Sequence, residues 1–169
     1  MTTQVLHLVV CAAPPAQAVD ELVGLLQNKN WTVCVIATPR ATGWMDIEAL
    51  ARQTGNPVRD EYQGPDSESL PRADAIAVAP ATFNTVNKWV AGISDTFALG
   101  LLNEAIGLRL PIVVAPYAKA SLAAHPAYAR SLQTLGEWGV TVLPNEVIRV
   151  GAARDVFGWG PVVDALDRV

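Results

Sequence analysis

A short apolar run near the middle of the chain constrains the fold most strongly. Residues 73–79 are almost wholly apolar and end at Pro80, the pattern of a strand buried on both faces of a parallel sheet. The residues after Pro80 are small or hydroxylated and lead into a segment with helical spacing. The first backbone N–H groups of such a segment are free to receive an anion or a carbonyl-rich ring. Since ligands of open α/β sheets bind at the carboxyl ends of strands, the sequence predicts a binding crevice here.

Strand-like and helix-like segments alternate along the whole chain. The expected strands are residues 5–11, 32–37, 73–79, 110–115 and 140–143, with 57–62 as a short edge strand. Two of the expected helices follow Pro14 and Pro80, and three others cover residues 44–54, 96–106 and 126–138. Because strand–helix–strand connections are right-handed and parallel, this order predicts a three-layer α/β/α sandwich with a doubly wound parallel sheet, flavodoxin-like or Rossmann-like. The 169 residues fit a single domain, residues 1–169.

Composition excludes several classes of partner. The net charge is −4 and no basic run is present, so the chain lacks the electrostatic footprint of a protein that binds nucleic acid or an anionic membrane. No apolar run approaches membrane-spanning length and no signal peptide is recognisable, so we expect a cytoplasmic protein. A hydrophobic content of 51% with 17% charged residues favours a homo-oligomer that covers part of its apolar surface.

The ionisable side chains form no metal site in the sequence. Cys11 and Cys34 each lie in an apolar run, which is typical of buried thiols rather than of a disulfide or a metal pair. His7 lies in the first strand without a carboxylate or cysteine nearby, and we expect it to be structural. His125 precedes Pro126 at a helix start, and a structural role is expected there too.

Hydroxyl and amide side chains follow the predicted strands in place of the usual nucleotide motifs. The chain has neither G-x-G-x-x-G nor the Walker lysine motif, so dinucleotide and P-loop binding have no local support. Thr38, Thr82, Asn84 and Thr85 follow strand ends instead. One interpretation is a tight turn in which Asn84 merely caps the next helix. The other is a ligand site of a different kind.

Residues 80–85, Pro-Ala-Thr-Phe-Asn-Thr, resemble the Pro-Ala-Ser-Ala-Asn-Thr motif of the homo-oligomeric flavin-containing cysteine decarboxylases. This family includes phosphopantothenoylcysteine decarboxylase and the lantibiotic peptidyl-cysteine decarboxylases. The resemblance continues through Lys88, residues 92–93 and Asp95, and again through residues 110–116 and His125–Pro126. It covers residues 5–144 and supports the ligand-site interpretation.

The resemblance implies an FMN cofactor, whose phosphate Thr38 would help to hold. The family oxidises a cysteine side chain to a thioaldehyde, which makes loss of carbon dioxide easy, and Asn84 matches the asparagine that helps to place the substrate carboxylate. The hydroxyl and amide groups after the strands suit flavin, and Ala81 and Phe83 suit an apolar wall. The expected cofactor-binding residues are Thr38, Pro80, Ala81, Thr82, Phe83, Asn84, Thr85 and Ala115. A trimer, or a multiple of trimers, acting on a small-molecule or peptide thiol is also implied.

Three departures from the family pattern lie where the chemistry is decided. The active-site histidine has no counterpart in residues 63–72, where Asp66 is the nearest positional match and would be a weak base at neutral pH. The family's Gly-Ser-x-Ala-Ala loop is replaced by Ala-Ala-Pro-Pro at residues 12–15, which removes a phosphate-binding hydroxyl. The family's Pro-x-Met-Asn segment becomes Pro-Tyr-Ala-Lys at residues 116–119, where Lys119 is either a ligand for an acidic substrate or a solvated surface lysine.

The sequence supports two hypotheses from different classes. The first is an FMN-dependent, decarboxylase-like enzyme with an altered substrate site, in which Asn84 and Asp66 are the candidate catalytic residues. The alternative is a binding or regulatory protein that kept the fold and lost catalysis. A prenyl-transferring relative is disfavoured because the chain lacks basic, arginine-containing segments that would hold a prenyl phosphate.

Overall fold

The computed structural model describes residues 3–65, 68–150 and 156–169. The strands are β1 Gln4–Val10, β2 Trp31–Ala37, β3 Ala75–Ala81, β4 Ile112–Pro116, β5 Thr141–Val142, β6 Arg149–Val150 and β7 Val156–Phe157. The α-helices are α1 Val19–Asn28, α2 Ile47–Thr54, α3 Phe83–Val90, α4 Phe97–Leu108, α5 Ala120–Ala123, α6 Pro126–Glu137, α7 Asn145–Ile148 and α8 Gly160–Leu166. Two 3₁₀ helices, Pro14–Ala18 and Pro39–Trp44, follow β1 and β2.

The main sheet has the strand order β2-β1-β3-β4-β5. Every neighbouring pair in it is parallel. The chain therefore moves to one side of β1 to form β2 and to the other side to form β3. The topological switch point lies between β1 and β3, where the connections from the two strands diverge and leave a crevice at the carboxyl edge.

Side chains of the sheet alternate between two apolar cores, one on each face. Leu6 and Leu8 of β1 pack in the core formed with α1 and α8. Val9 packs in the opposite core, which α3, α4 and α6 cover. Helices thus lie on both faces of a buried parallel sheet, which confirms the predicted three-layer α/β/α sandwich.

The structure departs from the expected elements at three places. The edge strand predicted for residues 57–62 is wrong, because this segment forms only one parallel bridge, between Ile36 and Arg59; it has little apolar surface to bury. Strand β3 runs past Pro80 to Ala81 through a register irregularity, a position at which a sheet tolerates proline. The elements from α7 to α8 had no prediction, since their apolar runs are short.

The part of the chain that the structure describes contains no helix both long and apolar enough to cross a membrane.

His7 is a structural residue of β1, as expected from the sequence. Its side chain is buried, and Nε2 lies 2.8 Å from the carbonyl oxygen of Pro71. Burial lowers the pKa of His7, and the hydrogen bond to Pro71 opposes part of this shift. The fold therefore favours the neutral ring, whose Nε2–H donates to the carbonyl.

This preference predicts an acid-sensitive component of stability. The unfolded chain takes up a proton at His7 near the ordinary pKa of 6.5, whereas the folded chain resists it. The free energy of unfolding should therefore fall as the pH drops from 6.5 towards the lower folded-state pKa. Urea unfolding of the wild type and of His7→Gln at pH 7.5 and 5.5 measures this component, and the variant should lose less stability than the wild type. Equal losses in the two proteins would contradict the assignment.

Candidate functional site

A cavity of about 850 Å³ opens at the carboxyl edge of the sheet. Its lining comes from the segments that follow β1, β2, β3 and β4, on both sides of the switch point. The lining residues are Ala12, Ala13, Pro14, Thr38, Pro39, Arg40, Trp44, Thr82, Phe83, Asn84, Thr85, Lys88, Thr96, Leu99, Tyr117, Ala118, Lys119 and Leu122. Cavities of a few hundred to about 1,000 Å³ are typical of small-molecule and cofactor sites.

Helix α3 enters the cavity with its amino terminus uncapped. Thr82 is the N-cap residue, but its side chain makes no capping hydrogen bond. The first backbone hydrogen bond of the helix runs from the N–H of Val86 to the oxygen of Thr82, at 3.0 Å. The N–H groups of Phe83, Asn84 and Thr85 precede it, so three donors at the positive end of a helix dipole remain available to a ligand.

Packing behind the cavity holds α3 in place. Trp89 is fully buried in the core. Ser131 of α6 donates a hydrogen bond from Oγ to Oδ1 of Asn87, at 2.7 Å. Lys88 and Asp95 form an ion pair at 2.5 Å that joins α3 to the segment before α4. The free amino terminus of α3 therefore sits on a rigid element, as a precise binding site requires.

Buried hydroxyl and thiol groups lie beside this helix start. Thr85 is buried, and its Oγ1 lies 3.4 Å from the Sγ of Cys11 and 3.4 Å from the Oγ1 of Thr82. Burial raises the pKa of the Cys11 thiol, as it does for Cys34. Both cysteines are free and buried, as predicted, so Cys11 supports Thr85 as a neutral thiol rather than acting as a nucleophile.

The segment after β2 offers a second group of donors. Thr38 is the N-cap of the 3₁₀ helix that lines the cavity, and its side chain makes no capping hydrogen bond. The first backbone bond of this turn runs from the N–H of Ala41 to the oxygen of Thr38, at 2.9 Å, so the N–H of Arg40 precedes it. The Thr38 hydroxyl, this N–H and the exposed Arg40 guanidinium form one donor group on the cavity wall.

The loop after β1 contributes less than the other segments. Ala13 is the N-cap of the 3₁₀ helix Pro14–Ala18. Pro14 and Pro15 have no N–H, and neither Ala12 nor Ala13 has a hydroxyl. Backbone N–H groups are the only donors that this loop can present.

Phe83 and Tyr117 form an aromatic wall of the cavity, and two further rings outside the lining pack against Phe83. Phe83 stacks with Tyr128 at 5.8 Å between ring centroids and meets the ring of His125 edge-on at 5.6 Å. Burial raises the pKa of Tyr128 to about 12, so its phenol stays neutral. Tyr117 lines the cavity, and the guanidinium of Arg149 lies 4.0 Å from its ring centroid. This wall suits the face of a planar ring.

His125 is occupied as a helix cap. Its Nδ1 accepts a hydrogen bond from the N–H of Ala127 at 3.1 Å, at the amino terminus of α6. This agrees with the structural role expected from the sequence. Neither His7 nor His125 is among the residues that line the cavity.

The charge of the cavity lining is positive. Arg40, Lys88 and Lys119 line it, while no lining residue in the described part of the chain is an aspartate or glutamate. Lys88 is neutralised by Asp95, whereas the described residues place no carboxylate within ion-pair distance of Arg40 or Lys119. The described residues also contain no group of three or more metal-ligating side chains.

The predicted site residues fall into three groups. Thr38, Thr82, Phe83, Asn84 and Thr85 line the cavity together. Pro80, Ala81 and Ala115 are buried in β3 and β4, beneath the strand ends. Asp66 lies outside the described residues. Tyr117, Ala118 and Lys119, from the segment that matches the family's substrate-recognition segment, also line the cavity. The sequence interpretation missed Arg40, Trp44, Thr96 and Leu99. Arg40 closely follows a predicted strand end, a signal that could have found it.

Comparison with known proteins decides the family. The Flavoprotein family model matches residues 3–168 of the chain. The chain belongs to the flavoprotein family. The family resemblance inferred from residues 80–85 is thereby confirmed.

Curated relatives of this flavoprotein include bifunctional enzymes. The chain is 30% identical to the coenzyme A biosynthesis bifunctional protein CoaBC of Thermococcus kodakarensis over 141 residues. The aligned region covers 78% of the chain and 35% of the relative. The CoaBC protein of Mycolicibacterium smegmatis is 28% identical over 123 residues, 70% of the chain and 29% of the relative. The chain thus spans about a third of the length of these relatives.

Solved structures share the fold over nearly the whole chain. The FMN-dependent cysteine decarboxylase SpaF superposes with a TM-score of 0.80 at 21% identity, covering 98% of this chain and 96% of that one. A mutant PPC decarboxylase bound to pantothenoylaminoethenethiol gives 0.79 at 19% identity, covering 99% and 98%. AnUbiX, in complex with FMN and dimethylallyl pyrophosphate, gives 0.78 at 16% identity, covering 98% and 93%. These matches confirm the fold.

Proposed function

We propose that this flavoprotein binds FMN in the carboxyl-edge cavity and acts as an FMN-dependent, decarboxylase-like enzyme on a small-molecule or peptide thiol that bears a carboxylate. The observation that carries the proposal is the uncapped amino terminus of α3 at the end of β3, in a cavity of about 850 Å³. The family and the solved relatives support the choice of flavin.

The residues present fit FMN in their chemistry. The ring edge needs donors and acceptors, which the N–H groups of Phe83, Asn84 and Thr85 and the Thr82 hydroxyl can supply. The ring face needs an apolar wall, which Phe83 and Leu99 can supply. The phosphate needs donors and positive charge, and the segment after β2 offers both at Thr38 and Arg40. The β1 loop is the poorest part of the fit, because it lacks a hydroxyl.

The roles of the other predicted residues follow from their positions. A bound flavin supplies two-electron oxidation of the substrate. The exposed amide of Asn84, at the positive end of α3, would orient a substrate carboxylate. Pro80, Ala81 and Ala115 fix the strand ends on which the ring would rest, and Lys119 faces the same cavity from the other side. Asp66 stays the proposed counterpart of the family histidine.

We expect the purified protein to be yellow, or to become yellow when FMN is added. The donors and the apolar wall already converge in one cavity, so little of the binding free energy should be spent on ordering the site. An absorbance spectrum, followed by mass identification of the flavin released on denaturation, tests this. A colourless protein that fails to take up added FMN in equilibrium dialysis would end the proposal.

The alternative is a non-catalytic homologue, and one observation favours it. Among the cavity-lining residues of the described chain, none is a histidine, cysteine, aspartate or glutamate that could transfer a proton near neutral pH. Nδ1 of His125 accepts a hydrogen bond from the N–H of Ala127, and Nε2 of His7 is hydrogen-bonded to the carbonyl oxygen of Pro71. Binding of flavin without turnover would fit this composition as well.

An anaerobic assay separates the enzyme from the homologue that only binds. Loss of a general acid or base costs a factor of about 10² to 10⁴, so phosphopantothenoylcysteine should give at most trace carbon dioxide. The flavin of the FMN-loaded protein should nevertheless be bleached when the protein's own thiol substrate reduces it. A panel of cysteine-ended peptides and small thiols can identify that substrate. Robust turnover of phosphopantothenoylcysteine would contradict the altered site. A flavin that no thiol bleaches would favour the non-catalytic alternative.

We also propose that the protein is a homo-oligomer, a trimer or a multiple of trimers. Large apolar side chains, including Ile93, Leu108 and Trp138, are exposed on the described surface, as subunit contacts require. The single domain over residues 1–169, the cytoplasmic location and the absence of a nucleic-acid partner stay predictions.

A further inference from the structure

We propose that Arg40 makes the cavity select FMN over riboflavin, by pairing with the flavin phosphate in place of the donors that the β1 loop lacks. This inference rests on the proposed function and assigns one residue of this chain to one part of the cofactor. It follows from the placement of Arg40 in the cavity wall beside Thr38.

The β1 loop is a poor site for a phosphate. A phosphate dianion needs several donors, and helix or turn starts usually supply them as backbone N–H groups and hydroxyls. Here Pro14 and Pro15 have no N–H, and Ala12 and Ala13 have no hydroxyl. The carboxyl end of β1, at the switch point of the sheet, therefore offers little to an anion.

The segment after β2 places a positive charge on the cavity wall. Arg40 belongs to the 3₁₀ helix Pro39–Trp44, which lines the same cavity as Ala12, Ala13 and Pro14. No carboxylate of the described residues lies within ion-pair distance of its guanidinium. Guanidinium binds phosphate through two parallel hydrogen bonds. The backbone N–H of Arg40 and the Thr38 hydroxyl add donors from the same turn.

The two ends of the cavity differ in the donors that they offer to a phosphate. Arg40 follows β2 and Lys119 follows β4, and β1 and β3 lie between these strands. Neighbouring strands are about 4.8 Å apart, which puts the two strand ends about 14 Å from each other. Near Lys119 the lining is Tyr117, Ala118 and Leu122, without a hydroxyl at a turn start. The donor-rich end is the one that holds Arg40, so the flavin ring extends from there towards α3.

The experiment compares FMN with riboflavin, which differ only in the phosphate. Quenching of flavin fluorescence gives the Kd of each ligand for the wild type and for Arg40→Gln. We expect the variant to bind FMN about ten- to hundredfold more weakly, because a hydrogen-bonded charge pair is lost. Riboflavin binding should change by less than about threefold, since no charged partner is lost. Arg40→Lys should recover part of the FMN affinity.

Two further variants serve as controls. Arg52→Gln removes an exposed arginine from α2 that lies outside the cavity lining, and it should leave the ratio of the two Kd values unchanged. Lys119→Gln removes the other lining cation that has no carboxylate partner among the described residues, and it should also leave the ratio unchanged. A ratio that changes with Lys119→Gln and not with Arg40→Gln would place the phosphate at the opposite end and overturn the inference.

The remaining outcomes distinguish this inference from the proposed function. A wild type that binds FMN and riboflavin equally, or an Arg40→Gln variant that keeps the wild-type ratio, would overturn the role of Arg40 and leave flavin binding intact. A wild type that binds neither flavin would overturn both.

Discussion

Three backbone N–H groups at the start of α3 are the constraint on which the site depends. They come directly after a buried parallel strand, and the N-cap residue, Thr82, does not satisfy them. Because α3 is fixed by Trp89 and by the Ser131–Asn87 hydrogen bond, these donors keep a constant direction at the positive end of a helix dipole. A ligand with acceptor groups is the natural partner of such an arrangement, and the cavity supplies the space for one.

The cavity divides its chemistry between its two sides. The segment after β2 gathers a hydroxyl, a free N–H and a guanidinium, whereas the side after β4 presents aromatic and aliphatic groups together with Lys119. Asp95 neutralises Lys88. The lining cations without a carboxylate partner among the described residues are therefore Arg40 after β2 and Lys119 after β4, on the two sides of the cavity. This distribution suits an elongated ligand with an anionic end and a planar, polar-edged ring, which is the form of FMN.

Much of this could be predicted from the sequence. The buried strand before Pro80 and the hydroxylated turn after it indicated the position of the site, because the turn after a parallel strand must lie at the carboxyl edge of the sheet. The missed residues Arg40 and Trp44 belong to a 3₁₀ turn, which has no periodic pattern in the sequence. The prediction of an edge strand at residues 57–62 was wrong because a segment with little apolar surface to bury does not form a continuous hydrogen-bonded ladder with its neighbour. Elements after residue 144 depend on tertiary packing of α8 against the sheet.

The central claim is that the start of α3 binds the flavin, and Asn84→Asp tests it most directly. Asn84 is exposed in the first turn, where a carboxylate favours the helix by about 0.3–1 kcal/mol. The account predicts a variant that is at least as stable as the wild type and yet binds FMN about tenfold more weakly, because the new charge lies beside the carbonyl oxygens of the flavin ring. Asn28→Asp, at the exposed end of α1, should leave the Kd for FMN unchanged. A stable Asn84→Asp variant with the wild-type Kd for FMN would contradict the account.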